Sequence, residues 1–213
     1  MNAESPRPMD LAAFRARLES LVGRPTQVRP FVCDGSPLDC DVMIVGSNPA
    51  TSMEKDWWEW WDPKHGFKRN AWLEHYRVER ARQPLKPGKT RRMPISNTRR
   101  VLDWIAGSAY PVKCLETNIY STPTVSIAEL TPSLRSTAIF DFLFDTIRPA
   151  VVLAHGSDAA AHLGVPVDAD WLDANVAEGK SALPVMAVPH LARGWSQRAA
   201  TTLGRALRGF SHT

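Results

Sequence analysis

Residues 41–52 read DVMIVGSNPATS. The run Val42-Met43-Ile44-Val45 is apolar, rich in β-branched residues and short enough for a strand buried on both faces of an α/β sheet. Gly46 and Pro49 end it sharply and leave a polar loop, Gly46-Ser47-Asn48-Pro49, at its carboxyl end. Open α/β sheets bind ligands at that end. The stretch therefore predicts a buried strand that opens onto the floor of an active site, with Asn48 at its centre. An ordinary strand-to-loop turn is the plainer alternative.

The pattern repeats outward from this strand. Val112 to Tyr120 predicts a second strand carrying Thr117-Asn118. Ala150 to His155 predicts a third, ended by Gly156, and Leu183 to Pro189 a fourth, ended by His190. Helical spacing falls between them. Leu11, Phe14, Leu18 and Leu21 share one face of a first helix, with Asp10 as N-cap and Gly23 as stop. Further helices are predicted from Asn70 to Arg82 with Asn70 as cap, from a cap at Asn97 to Gly107, from Ser133 to Ile147, from Ser157 to Leu163 and from Gly194 to Leu207. Strands alternating with helices imply an α/β fold: a three-layer αβα domain around a central four-stranded parallel sheet. It occupies residues 1–213 as a single domain, with residues 1–9 expected to be disordered. Four tryptophans fall between Trp57 and Trp61. Trp57, Trp60 and Trp61 would share a helical face, and at least two of the four are expected in the core. Phe67, in a glycine-broken basic loop, is expected to be offered to a ligand.

Composition narrows the function classes. The chain has 213 residues, 44% hydrophobic and 23% charged, as in ordinary soluble domains. No apolar stretch is long enough to span a membrane, and the N-terminus lacks a signal-peptide pattern. A cytoplasmic location is expected. Cys33, Cys40 and Cys114 fit no zinc or iron–sulfur spacing and imply reduced thiols. The net charge is +4, but it is concentrated: twelve Lys or Arg against two acids lie between Lys64 and Arg100. Such a run is the footprint of a polyanion partner, nucleic acid first, although a solvated loop also carries charge. Lys89, Arg91 and Arg92 lie in its Pro/Gly-rich centre. The glycine spacing of a phosphate-binding loop is missing.

Three predicted strand ends deliver polar residues to one edge: Ser47-Asn48-Pro49, Thr117-Asn118, and His190 with Arg193, Trp195 and Ser196 behind it. In this order and spacing the chain from Asp41 to Leu207 resembles the uracil-DNA glycosylase superfamily. GSNPA at 46–50 is similar to the first motif of that superfamily in its Gly-x-Asn-Pro form. ETNIYS at 116–121 looks like the middle strand whose Asn reads the base. AVVLAHGSDAAAHLG resembles the strand–Gly–helix that follows, and VPHLARGWS at 188–196 the closing His-Pro-Ser motif.

The resemblance implies a monofunctional, cofactor-free, metal-free DNA glycosylase, acting as a monomer on a nucleotide flipped out of single- or double-stranded DNA. Asn48 would hold the attacking water, and His190, as a neutral donor, would stabilise charge on the departing base. Asn118 would bond the pairing edge of the base, Phe67 would stack on its face, and Gly46, Ser47 and Pro49 would complete the pocket. Lys89, Arg91, Arg92, Arg193, Trp195 and Ser196 would contact DNA, with Leu191 or Trp195 as the wedge. The chain departs from the family in four ways. Asn48 replaces an acid, His-Leu-Ala replaces His-Pro-Ser, the Trp-rich insertion follows motif one, and the four cluster cysteines are missing. These departures point to a damaged or modified base as substrate. They also keep open a DNA-binding module of weak or no activity on the same fold. A nucleotide hydrolase or transferase is disfavoured by the lack of a phosphate-cradling loop and of an acidic cluster for Mg²⁺.

Overall fold

The computed structural model of the protein describes residues 9–85, 88, 90–167, 177–178 and 183–210. In chain order the elements are α1 (Leu11–Val22), β1 (Phe31–Val32), β2 (Val42–Gly46), β3 (Trp61–Asp62), β4 (Gly66–Phe67), α2 (Arg69–Arg82), α3 (Asn97–Ala109) and β5 (Cys114–Asn118), followed by α4 (Ala138–Ile147), β6 (Val151–His155), α5 (Ser157–Leu163), β7 (Ala177–Glu178), β8 (Pro184–Val188) and α6 (Gln197–Ala206). Apart from Met9, the segment expected to be disordered lies outside the described residues.

All four predicted strands form, and they pair in the order β5-β2-β6-β8, all parallel. The sheet itself is larger and mixed. β1 pairs antiparallel with β5 at one edge and β7 antiparallel with β8 at the other, which makes six strands instead of the expected four. Each edge strand is two residues long, too short for sequence periodicity to reveal. Very short edge strands of this kind blunt the edges of a sheet.

Alternation along β2 and β6 divides the core in two. Met43, Val45, Val152 and Ala154 face a cluster with α1, α4, α5 and the tryptophan-rich segment. Val42, Ile44, Val151 and Leu153 face a second cluster built by α3 and α6. Helices thus cover both faces, as a parallel sheet buried on both sides requires. The helices α3 and α6 cross at Gly204, where a Cβ would lie 2.4 Å from the Ile105 carbonyl oxygen, so a larger residue would push them apart.

Helix starts are set by small capping side chains. Asp10 accepts from the Ala13 amide, as expected. The cap of α3 is Ser96, whose Oγ accepts from the Arg99 amide, and Asn97 is the first helical residue. Lys68, which makes no side-chain cap bond, precedes α2, so Asn70 is not its cap. The helix predicted from Ser133 begins at Ala138, and Arg148 ends it in the left-handed conformation (φ 48°) just before Pro149.

The tryptophans are consumed by the core. Trp57, Trp58, Trp60 and Trp61 are all buried; the first turn is a short 3₁₀ segment that leads directly into β3. Phe67 is buried with them, 2% exposed. Its ring stacks on Trp57 at 5.2 Å and lies against Phe31 and Trp72. The basic loop that flanks it is a tight hairpin, in which Trp61 pairs with Phe67. Gly66, at φ +88°, allows the Gly35 backbone to approach where a side chain would stand. The expectation that Phe67 is offered to a ligand is therefore overturned: its apolar area goes into an aromatic cluster that excludes solvent.

Candidate active site at the carboxyl edge of the sheet

The parallel strands end side by side, so their last residues form a row. In sheet order the row is Asn118 on β5, Gly46 on β2, His155 on β6 and, just beyond β8, His190. Gly46 is the low point. A Cβ there would lie 2.7 Å from His155 Nε2 and 2.9 Å from Asn118 Oδ1. Only glycine lets an imidazole from one neighbouring strand and an amide from the other lean over the same point.

The loops leaving β2 and β5 are zipped together. Ile119 N–H donates to Gly46 O, Tyr120 N–H to Ser47 O, and Thr124 N–H to Pro49 O. Asn48 sits between them. Its Nδ2 donates to Thr124 Oγ1 at 2.7 Å and to Thr124 O at 3.1 Å. Because a carbonyl only accepts, this contact orients the amide and turns Oδ1, an acceptor, to the other side.

His155 is buried, with its Nδ1 lacking any hydrogen-bond partner among the described residues. Burial lowers its pKa from 6.5 to about 3, and His190 and Arg99 push in the same direction, so the ring is neutral. The His190 ring stands edge-on to it, with centroids 5.3 Å apart. His190 is exposed on its outer side, and its inner side rests against Gly156, whose φ of +89° suits glycine. The Ala192 N–H donates to His190 Nδ1 at 3.1 Å, so in the neutral ring the proton is on Nε2. Burial of the inner edge lowers the His190 pKa, Arg193 adds to this, and Asp158 works against it. Asp158, in the first turn of α5, also accepts a long bond from Ser47 Oγ at 3.5 Å.

The site thus holds a neutral imidazole donor, an amide with neither end bonded to a described residue (Asn118), and a fixed carbonyl acceptor (Asn48). Asn118 packs against Gly46 together with His155, His190 stands beside His155, and Asn48 lies two residues beyond Gly46 in the same loop. The arrangement can bind a flat polar group by its edge and stabilise negative charge on it. Among the described residues no group of three or more His, Cys, Asp or Glu is placed to hold a metal ion, and no helix is long and apolar enough to cross a membrane.

Gly46, Ser47, Asn48, Pro49, Asn118 and His190 all lie at the carboxyl edge of the sheet; Asn118 is brought against Gly46, His190 against His155 and Gly156, and Asn48 against Thr124. His155 and Asp158 are additions. The sign of the first was a polar ring closing the apolar run AVVLAH directly before a glycine; the second carried no sign of its own.

The proposed DNA contacts fare unevenly. Arg91 is exposed on the loop after α2. Arg92 is engaged internally, with Gln83 Oε1 at 3.3 Å and with Pro84 O. Lys89 lies outside the described residues. Arg193 and Trp195 line a cleft beside His190. Ser196 caps α6 through the Ala199 amide, which occupies its hydroxyl with helix geometry. Leu191 is fully buried in the α3–α6 core and is no wedge.

Part of the basic run is likewise spent inside. Arg99 pairs with Glu116 and Arg69 with Glu116 and Asp103, and the Arg99 guanidinium lies over Trp72 at 5.0 Å. These charges brace β5 against α2 and α3 beneath Asn118.

No protein-family model and no curated protein matches the chain in sequence.

Proposed function

We propose that the protein is a DNA glycosylase of the uracil-DNA glycosylase type, which extrudes a damaged or modified base and hydrolyses its N-glycosidic bond. One observation carries this reading: at the carboxyl edge of the sheet Asn118 and His155 meet over Gly46, with the Nε2–H of a neutral His190 beside His155. That is the chemistry an N-glycosidic leaving group requires. The base departs with the bonding pair, so charge grows on its ring oxygen. A neutral donor held in a partly dry site stabilises that charge without first giving up its proton. Asn118 meets the pairing edge, with an acceptor and a donor on one planar group.

Asn48 contributes Oδ1 as the acceptor that orients water toward the sugar carbon. The water oxygen bonds to that carbon, the carbon–nitrogen bond breaks, and the proton lost by water ends in solvent or on the released base. An amide does not remove a proton, so bond breaking runs ahead of water attack and bases that leave readily are favoured. The Asp158 carboxylate, close enough to affect His190, adds negative charge near a sugar that becomes cationic. A mostly parallel sheet with helices on both faces is compatible with this reading, and the exposed Arg91 and Arg193 suit a phosphate backbone.

The test is a panel of oligonucleotides carrying altered bases, scored for abasic sites by alkaline cleavage. Excision of at least one base is expected, falling about a hundred- to a thousand-fold in His190→Ala and also falling in Asn48→Ala. No excision from any base refutes the reading, as does full activity in both variants. A second reading, a module that binds altered DNA without cutting it, is favoured by the amide at Asn48. It predicts binding with no turnover.

A further inference from the structure

Beside the strand-end row lies a second, wider feature that the reaction leaves unused. A cleft of about 370 Å³ opens between α3 and the loop that follows His190. Asn97, Arg100 and Trp104 form the helix wall; Arg193 and Trp195 belong to the loop wall. The walls are held in register twice: by Asn97 Nδ2 donating to Ala192 O at 3.3 Å, and by the close α3–α6 crossing at Gly204.

The cations here differ from their neighbours. Arg99 is buried and paired, whereas Arg100, the next residue, is half-buried and has no ion pair or side-chain hydrogen bond among the described residues. The same holds for the exposed side chain of Arg193. Trp104 rests one side on the α3–α6 core and has no aromatic partner among the described residues. Two unpaired guanidiniums and an indole around one opening are the recognition set for a phosphate joined to a flat ring. The opening adjoins the proposed reaction site, since Arg193 acts electrostatically on His190 and its N–H reaches the His190 carbonyl.

We infer that this cleft is a binding site for a second nucleotide of the same strand, next to the one engaged at the strand-end residues. Its base stacks on Trp104, and the phosphate between the two nucleotides lies between Arg100 and Arg193. The inference rests on the proposed function but concerns binding, so the two fail separately. An extruded nucleotide is held only by its own base contacts, and gripping its neighbour fixes the backbone on one side and sets the register.

The experiment measures fluorescence anisotropy of a labelled thymidine pentanucleotide, which has no altered base, on the full chain over a range of salt. Variants are Trp104→Leu, which keeps an apolar body against the core, Arg100→Gln, and Arg17→Gln on the far-side helix α1 as a control for net charge. Melting curves establish that each folds. Trp104→Leu is expected to weaken binding about five- to a hundred-fold. Arg100→Gln should flatten the slope of log affinity against log salt by about 0.7, and Arg17→Gln should change neither. The inference is overturned if Trp104→Leu and Arg100→Gln bind as Arg17→Gln does, even where excision persists. It is also overturned if thymidine monophosphate competes as well as an unlabelled pentanucleotide, which makes the cleft a site for free nucleotides. Tight binding dependent on Trp104, with no excision of any base, leaves the cleft assignment standing and removes the glycosylase. No binding at low salt overturns the cleft assignment and leaves the glycosylase to the excision panel.

Discussion

His155 makes the acid stability of this protein depend on one ring. In the folded chain its pKa is lowered to about 3, first by burial and then by His190 and Arg99; unfolded, it returns to 6.5. Between those values the unfolded chain holds a proton that the folded chain refuses. Stability is therefore intact above pH 6.5 and is lost as pH falls through the window down to about 3. The slope contributed by one group is about 1.4 kcal/mol per pH unit. Going from pH 7 to pH 4.5 therefore costs about 2–3 kcal/mol from His155 alone. The ring is buried, so solvent screening does not reduce this. The assay is urea unfolding at half-unit pH steps, in the native chain and in His155→Leu, with His155→Gln as a polar, non-titrating second variant. Carboxylates titrate in both and cancel in the comparison. The native midpoint should fall by about 1 M urea more than that of the variants across the window, given slopes of ~1–3 kcal/mol per M. Parallel losses in native and variant chains would refute the reasoning, as would an imidazole resonance of His155 that titrates above pH 5.

Three further outcomes follow from the same geometry. Gly46→Ala places a methyl 2.7 Å from a buried imidazole nitrogen and 2.9 Å from the Asn118 amide. It should cost about 1–3 kcal/mol by urea unfolding and reduce excision more than that destabilisation explains; wild-type excision would show that the strand ends around Gly46 are not the base site. Glu116→Gln leaves Arg99 and Arg69 without their shared carboxylate inside the fold and should cost about 3–5 kcal/mol by thermal unfolding; a loss below about 1 kcal/mol would show that the charges are solvated. Phe67→Ala should cost about 3–5 kcal/mol through the aromatic cluster, whereas Phe67→Leu, once folded, should keep the substrate affinity of the native chain. A selective loss of affinity in Phe67→Leu would restore the ring to the binding site.

Much of this molecule is written locally. The buried strand at 42–46, its parallel neighbours and the helices between them follow from apolar runs and from glycine and proline stops, which act within a few residues. The polar residues at strand ends follow as well, because a strand that ends in Gly-Ser-Asn-Pro delivers them to the sheet edge whatever lies beside it. Tertiary packing decided everything that depends on a partner far along the chain. It put His155 and Asn118, 37 residues apart, over one glycine. It turned Phe67 from a loop residue into core, because a hairpin lays it on Trp57. It split adjacent arginines into opposite roles, Arg99 drawn inward by Glu116 and Arg100 left facing a cleft. Composition records how much charge and aromatic surface a chain has. Desolvation and pairing, fixed only once the sheet assembles, determine which of it is spent on the fold and which remains for a ligand.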